Sequence, residues 1–91
     1  MPQAELPRAK FEAGYNVVEL FCDSGLVPSR SEGRRLVDQG GAFVFPPGGK
    51  EPRAISDVAA LIGPESLDSE GELILRAGKK RYCVVSAVGN G

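Results

Sequence analysis

Pro28 and the pair Gly40-Gly41 bracket the most tightly specified stretch of this chain. Pro28 cannot continue a preceding helix, and Ser29-Arg30-Ser31-Glu32 is an S-x-x-E capping box that opens a new one. Two glycines follow about a dozen residues later, one of them suited to the left-handed position past a helix C-terminus. The punctuation predicts a helix from about Arg30 to Gln39. On it, Gly33, Leu36 and Val37 share one stripe, while Arg30, Arg34 and Asp38 form a ridge that Ser31 and Arg35 widen into a polar face. So narrow an apolar stripe needs a partner. The run upstream supplies one: Asn16 caps a first helix, with Glu19 placed to complete its box, Val17, Val18, Leu20 and Phe21 as its apolar side, and Gly25 as its stop.

Beyond the helix pair the period changes from helical to alternating. Ala42 to Phe45 reads as a strand, and Pro46-Pro47-Gly48-Gly49 as a loop that no element interior would accept. A short strand near Arg53 to Ser56 returns from it, and Asp57 caps a brief helical turn through Val58 to Ile62. Residues 63 to 71 form an acidic loop. Glu72 to Arg76 places Leu73 and Leu75 on one face, and Arg81 to Ser86 is rich in β-formers, so the two make a C-terminal hairpin about Ala77-Gly78. Residues 1–15, with Pro2 and Pro7 and no sustained period, read as an extended linker, and residues 89–91 as a tail. The fold class is therefore α+β, two N-terminal helices packed on a small, mostly antiparallel sheet, with residues 16–88 as the domain.

Ninety-one residues hold one core. No apolar run approaches a membrane span. The chain has no histidine, which removes the commonest general base and nitrogen ligand for metals, so no metal, cofactor or catalytic residue is expected. Glu65, Asp68, Glu70 and Glu72 sit in a Gly/Pro/Ser-rich loop without an apolar wall to raise a pKa, and read as solvated. Cys22 and Cys83 have no metal-knuckle or redox spacing. They read as buried free thiols, which suits a reducing compartment; no secretory pattern opens the chain.

The net charge of −1 hides a polarised distribution. Windows 30–35 and 76–81 hold seven of the eleven basic residues against one acid, Glu32, leaving an acidic body elsewhere. Arg30, Arg34 and Arg35 on a helix, with Lys79, Lys80 and Arg81 past a tight turn, are the side chains that phosphates would take. Ser29, Ser31 and Gln39 could add hydrogen bonds. The competing reading of such clusters is plain solvated surface. Tyr82 fits either stacking on a base or sugar, or half-buried packing at the start of a strand.

The stretch GLVPSRSEGRRLVDQGGAFV, Gly25 to Val44, resembles the alpha-L RNA-binding motif named after the fourth protein of the small ribosomal subunit. The variant it resembles closes bacterial-type tyrosyl-tRNA synthetases: Gly25 to Gly41 follows GL-x-x-S-K/R-S-E-x-R-R-L-V/I-x-Q-G-G, and Leu73 to Tyr82 follows L-x-L-R-x-G-K-K-x-Y/F. The leader PQAELPRA is similar to the family's linker. Gly33 stands where the family usually has alanine, and Phe45 with Pro46 to Gly49 replaces its usual Asn-Gly turn. The resemblance implies an RNA-binding module, without the nucleotide motifs of the catalytic domain, that grips tyrosine tRNA between anticodon stem and variable arm through Ser29, Arg30, Ser31, Arg34, Arg35, Gln39, Lys79, Lys80 and Arg81. It implies a catalytic domain elsewhere in a homodimeric parent, in the cytoplasm or an organelle (mitochondrion or plastid). Two alternatives stand beside it: an RNA-modifying or ribosome-associated protein with the same motif, and a domain that docks a protein in the groove between its helices.

Overall fold

The computed structural model describes residues 3–46 and 52–89. Its elements are β1 (Gln3–Pro7), α1 (Arg8–Ala13), β2 (Tyr15–Asn16), α2 (Val17–Asp23), α3 (Arg30–Asp38), β3 (Ala42–Phe45), β4 (Arg53–Ile55), β5 (Leu61–Ile62), β6 (Glu72–Ala77) and β7 (Arg81–Val88). Five strands form one sheet in the order β1-β7-β6-β3-β4, and β2 pairs with β5 in a small second ladder. All pairings are antiparallel except β1 with β7, where Gln3 lies beside Val84 and Pro7 beside Val88. The α+β class holds, with a third short helix ahead of the expected two.

The core forms where the apolar faces of α1, α2 and α3 meet one face of the sheet. Phe11, Val17, Leu20, Phe21, Val37, Ile62, Leu73, Leu75 and Val85 have no exposed surface. Removing each large aliphatic or aromatic side chain from water is worth ~1.5–3 kcal/mol. Strand alternation assigns the faces: Leu73, Leu75 and Ala77 of β6 point inward with Cys83 and Val85 of β7, and the residues between them point outward. Gly33 lets α3 approach α2 closely, since a Cβ there would lie 3.1 Å from Val18 Cγ1 and 3.6 Å from Val27 Cγ2. That close approach gives a reason for glycine at a position that costs ~1 kcal/mol in helix propensity.

The amino-terminal stretch differs from its expected extended form. Residues 3–13 fold into β1 and α1, and bury Leu6 and Phe11. Lys10 of α1 lies 3.5 Å from Asp23 of α2, and Asp23 also accepts a hydrogen bond from the Tyr15 hydroxyl. Desolvation, reinforced by that hydrogen bond, pushes the Tyr15 phenol above its ordinary pKa. Strand β7 likewise runs to Val88, past the expected Ser86, because β1 pairs with its end. Leu61 and Ile62 also depart from expectation: they leave the Asp57-capped turn and pair with Tyr15 and Asn16 as β5, secured by a 3.0 Å bond from Val17 N to Ala60 O. Of the Pro46-Gly49 loop, Pro47, Gly48 and Gly49 lie outside the described residues. Both cysteines are free; Cys83 is buried and burial raises its thiol pKa, but Cys22, expected to be buried, is only half-buried against the core.

Candidate RNA-binding seam

Helix α3 begins as its sequence requires. Ser29 is extended at φ −156° and its Oγ accepts from Glu32 N at 3.3 Å, which satisfies one orphan donor of the first turn. The helix ends with Gly40 at φ +72°, while Gly41 N donates to Leu36 O at 2.9 Å. Gly33 and Val37 face inward, and Ser29, Arg30, Ser31, Arg34, Arg35 and Gln39 are all exposed. Each residue advances ~100° around the axis, so the exposed arc has two flanks. Arg30 and Arg34 stand on one. Arg35 and Gln39 lie toward the other, shared with Glu32 and Leu36.

The second cluster reaches the latter flank through a backbone contact. Gly78, at φ +72° in the β6–β7 turn, donates to Gly41 O at 2.7 Å, just past the end of α3. Lys79 and Lys80 follow immediately and are exposed. Ala77 to Arg81 line a shallow depression with Leu36. Arg81 then runs along the helix pair: its guanidinium donates to Leu26 O and lines a cleft with Val27, Glu32, Arg35 and Gln39. The structure thus brings Arg35 and Gln39 to Arg81 across 46 and 42 positions of sequence, and Leu36 to Lys79 and Lys80. Arg30, Arg34 and Ser31 belong to the outer and opposite parts of the same helix.

Charge along this seam is available to a ligand. Arg35 has Glu32 at 3.9 Å, but both side chains are more than half or nearly half exposed, so the pair holds it by only ~0.2–0.5 kcal/mol. Among the described residues Arg30, Arg34, Lys79, Lys80 and Arg81 have no acidic side chain at salt-bridging distance. Arg81 has a double duty, because its bond to Leu26 also braces the turn that enters α3. Ser29 has spent one acceptor on the cap, whereas Gln39 at the C-cap and Ser31 project freely. Asp68 of the acidic loop accepts from the backbone of Glu70 and Glu72, at 2.8 and 2.9 Å, and so knits that loop together. Among the described residues no group of three potential metal ligands occurs.

Arg76 leaves its sequence cluster altogether. It points to the outer face of the sheet, where its Cζ lies 4.0 Å from the centroid of Phe43. The signal was present in the alternation of Leu73 and Leu75, which sends the even-numbered residues outward; what could not be read was the register that sets Phe43 beside Arg76.

This is a small α+β domain in which Arg35, Lys79, Lys80 and Arg81 gather where a helix end meets a hairpin turn, with Arg30 and Arg34 on the far flank of that helix. No protein-family model matches the chain. Individual relatives do: it is 48% identical over 82 residues to the tyrosine–tRNA ligase of Treponema denticola, covering 90% of this chain and 19% of that one. The corresponding ligase of Treponema pallidum is 40% identical over 81 residues, 89% of this chain and 18% of the relative, and that of Xanthobacter autotrophicus 38% over 88 residues, 97% and 20%. The chain is a homologue of one domain-sized segment of the bacterial-type tyrosyl-tRNA synthetases, and spans about a fifth of the length of the curated relatives it matches. No helix among the described residues is long and apolar enough to cross a membrane.

Proposed function

We propose that the chain is the RNA-binding domain with which a cytoplasmic tyrosine–tRNA ligase holds tyrosine tRNA, aminoacylation belonging to the catalytic part of a homodimeric parent. The observation that carries this reading is the cleft shared by Arg35, Gln39 and Arg81, with Lys79 and Lys80 in a neighbouring depression that shares Leu36 and Arg81 with it. Phosphates two nucleotides apart on one strand, or on facing strands of an A-form groove, would take the three long cations of the turn and Arg35 together. Gln39 and Ser31 would donate to sugar hydroxyls or phosphate oxygens. Arg30 and Arg34, on the other flank, would follow a second backbone segment. Ser29 serves chiefly by fixing the helix start.

Such contacts position RNA without reading sequence, so binding should be salt-dependent and weakly discriminating. Four phosphates neutralised by Arg35, Lys79, Lys80 and Arg81 give a log-log salt slope of about −3 to −4 on duplex RNA. The test is a salt titration of the chain against tyrosine tRNA and an unrelated hairpin, for wild type, Arg35→Ala and Lys80→Ala. Each substitution is expected to weaken both RNAs and flatten the slope by about one unit, with thermal melts unchanged. Equal affinities and slopes for all three proteins would refute the seam and leave a protein-docking role as the better account.

A further inference from the structure

The outer face of the five-stranded sheet carries a second feature that the seam does not use. Pairing sets Tyr82 of β7, Arg76 of β6 and Phe43 of β3 in one row across three adjacent strands, and Val84, Ile74 and Phe45 in the next. All six are half-buried, and the alternation that sends Leu73, Leu75, Cys83 and Val85 into the core turns these six away from it. The first row alternates ring, guanidinium, ring. Arg76 Cζ lies over the Phe43 ring, 4.0 Å from its centroid, and its Nε is buried with no hydrogen-bond partner. Among the described residues the side chain makes no hydrogen bond or salt bridge at all. An arginine immobilised on an aromatic face, with its remaining donors uncommitted, is a planar cation already ordered for an acceptor.

We infer that this row is a seat for an unpaired nucleotide of RNA, the base stacking on Tyr82 and the Arg76–Phe43 pair, the Arg76 guanidinium donating to the nucleotide's phosphate or base oxygens. The inference rests on the RNA-binding reading above and deepens it, since the seam takes paired backbone and this face takes a splayed base. Charge decides for a nucleotide over an apolar peptide: the row contains a cation and no anion, and the hairpin that holds Arg76 and Tyr82 carries Lys79 and Lys80 at its tip, next to the row's end. Aromatic rings on an open sheet offer any base a π-face, and an arginine plane extends that surface. Tyr82 and the seam therefore lie on two sides of one hairpin, so a single strand leaving a helical stem at Lys79 and Lys80 passes directly onto the outer face.

The experiment compares a blunt RNA hairpin with the same hairpin carrying a short single-stranded oligo-adenosine extension, titrated against the 91-residue chain. The extension is expected to tighten binding by about tenfold, and Tyr82→Leu or Arg76→Gln to abolish that gain while leaving the blunt hairpin's affinity unchanged. The chain has no tryptophan and its other tyrosine is buried against Asp23, so tyrosine emission reports Tyr82 in the unmodified protein. Quenching by the extended RNA and not by the blunt one supports the seat even if a variant folds poorly. No gain from the extension with unchanged emission overturns the inference, as does an equal loss for both RNAs in Tyr82→Leu. In either case the seam stands if Arg35→Ala and Lys80→Ala still weaken the blunt hairpin. Binding to neither RNA defeats both readings.

Discussion

Helices α2 and α3 are short neighbours of similar length with opposite employment. Four of the seven residues of α2, Val17, Val18, Leu20 and Phe21, are buried, whereas α3 commits only Gly33 and Val37 of nine. Helix α2 is also tied down at its start more firmly: Asn16 Oδ1 accepts from Val18 N and Glu19 N at 3.0 and 3.2 Å, and Nδ2 donates to Val58 O at 3.0 Å. Ser29 makes one bond, at 3.3 Å, in the open. One helix is anchored by its own side chains. The other borrows its position from the first and spends its surface on charge, as the proposed contact with RNA phosphates requires.

The sharpest way to break this contrast is to hollow out α2. Phe21→Ala should destabilise the chain by about 3–5 kcal/mol, read as a lower melting temperature and denaturant midpoint, because a fully buried ring leaves a cavity the core cannot close. A loss below ~1 kcal/mol would mean that α2 is not the anchor. Gly33→Val attacks the contact between the helices: a Cβ already 3.1 Å from Val18 has no room for two methyls, and overpacking should cost about 2–4 kcal/mol. Retained stability would show that α3 can slide on α2. The two caps sharpen the comparison at smaller scale. Asn16→Ala should cost about 1–2 kcal/mol and Ser29→Ala about 0.5–1, and the reverse order would contradict the assignment of anchor and dependant. The smallest effects on stability belong to the arginines of α3. Arg35→Ala and Arg34→Ala should each change unfolding free energy by less than ~0.5 kcal/mol, yet Arg35→Ala should weaken a blunt RNA hairpin more than Arg34→Ala, since only Arg35 shares the cleft with Arg81. Equal losses would extend the seam around the whole exposed arc of the helix.

What the sequence could reveal follows the range of the interactions involved. The Ser29 cap, the left-handed Gly40 and the inward Leu73 and Leu75 depend on residues a few positions apart, and were legible. Strand β1 depends on Val84 to Val88, some eighty positions away, and Pro2 before it with Pro7 as its last residue look locally like a linker. Strand β5 is two residues long and exists because Tyr15 and Asn16 lie opposite it. The candidate site divides the same way. Both cationic clusters could be seen as composition, but the bond from Gly78 to Gly41 that joins one to the end of α3, and the phase of the helix that parts Arg34 from Arg35, are matters of three-dimensional placement. Arg76 shows the limit most plainly: adjacent in sequence to the second cluster, it lies beside Phe43 on the outer face of the sheet.

The parallel pairing of β1 with β7 also has a mechanical side. A pull that opposes the amino-terminal end of β1 to the Val88 end of β7 loads their ladder lengthwise, so the bonds between Gln3–Pro7 and Val84–Val88 share the force rather than parting one after another. The strand that receives this load begins at Arg81, whose side chain grips Leu26 beside the start of α3. Gln3 and the cationic turn lie at the same end of this parallel ladder, so a pull between them opens the pair from Gln3 onward, whereas a pull between Gln3 and Val88 meets it in shear.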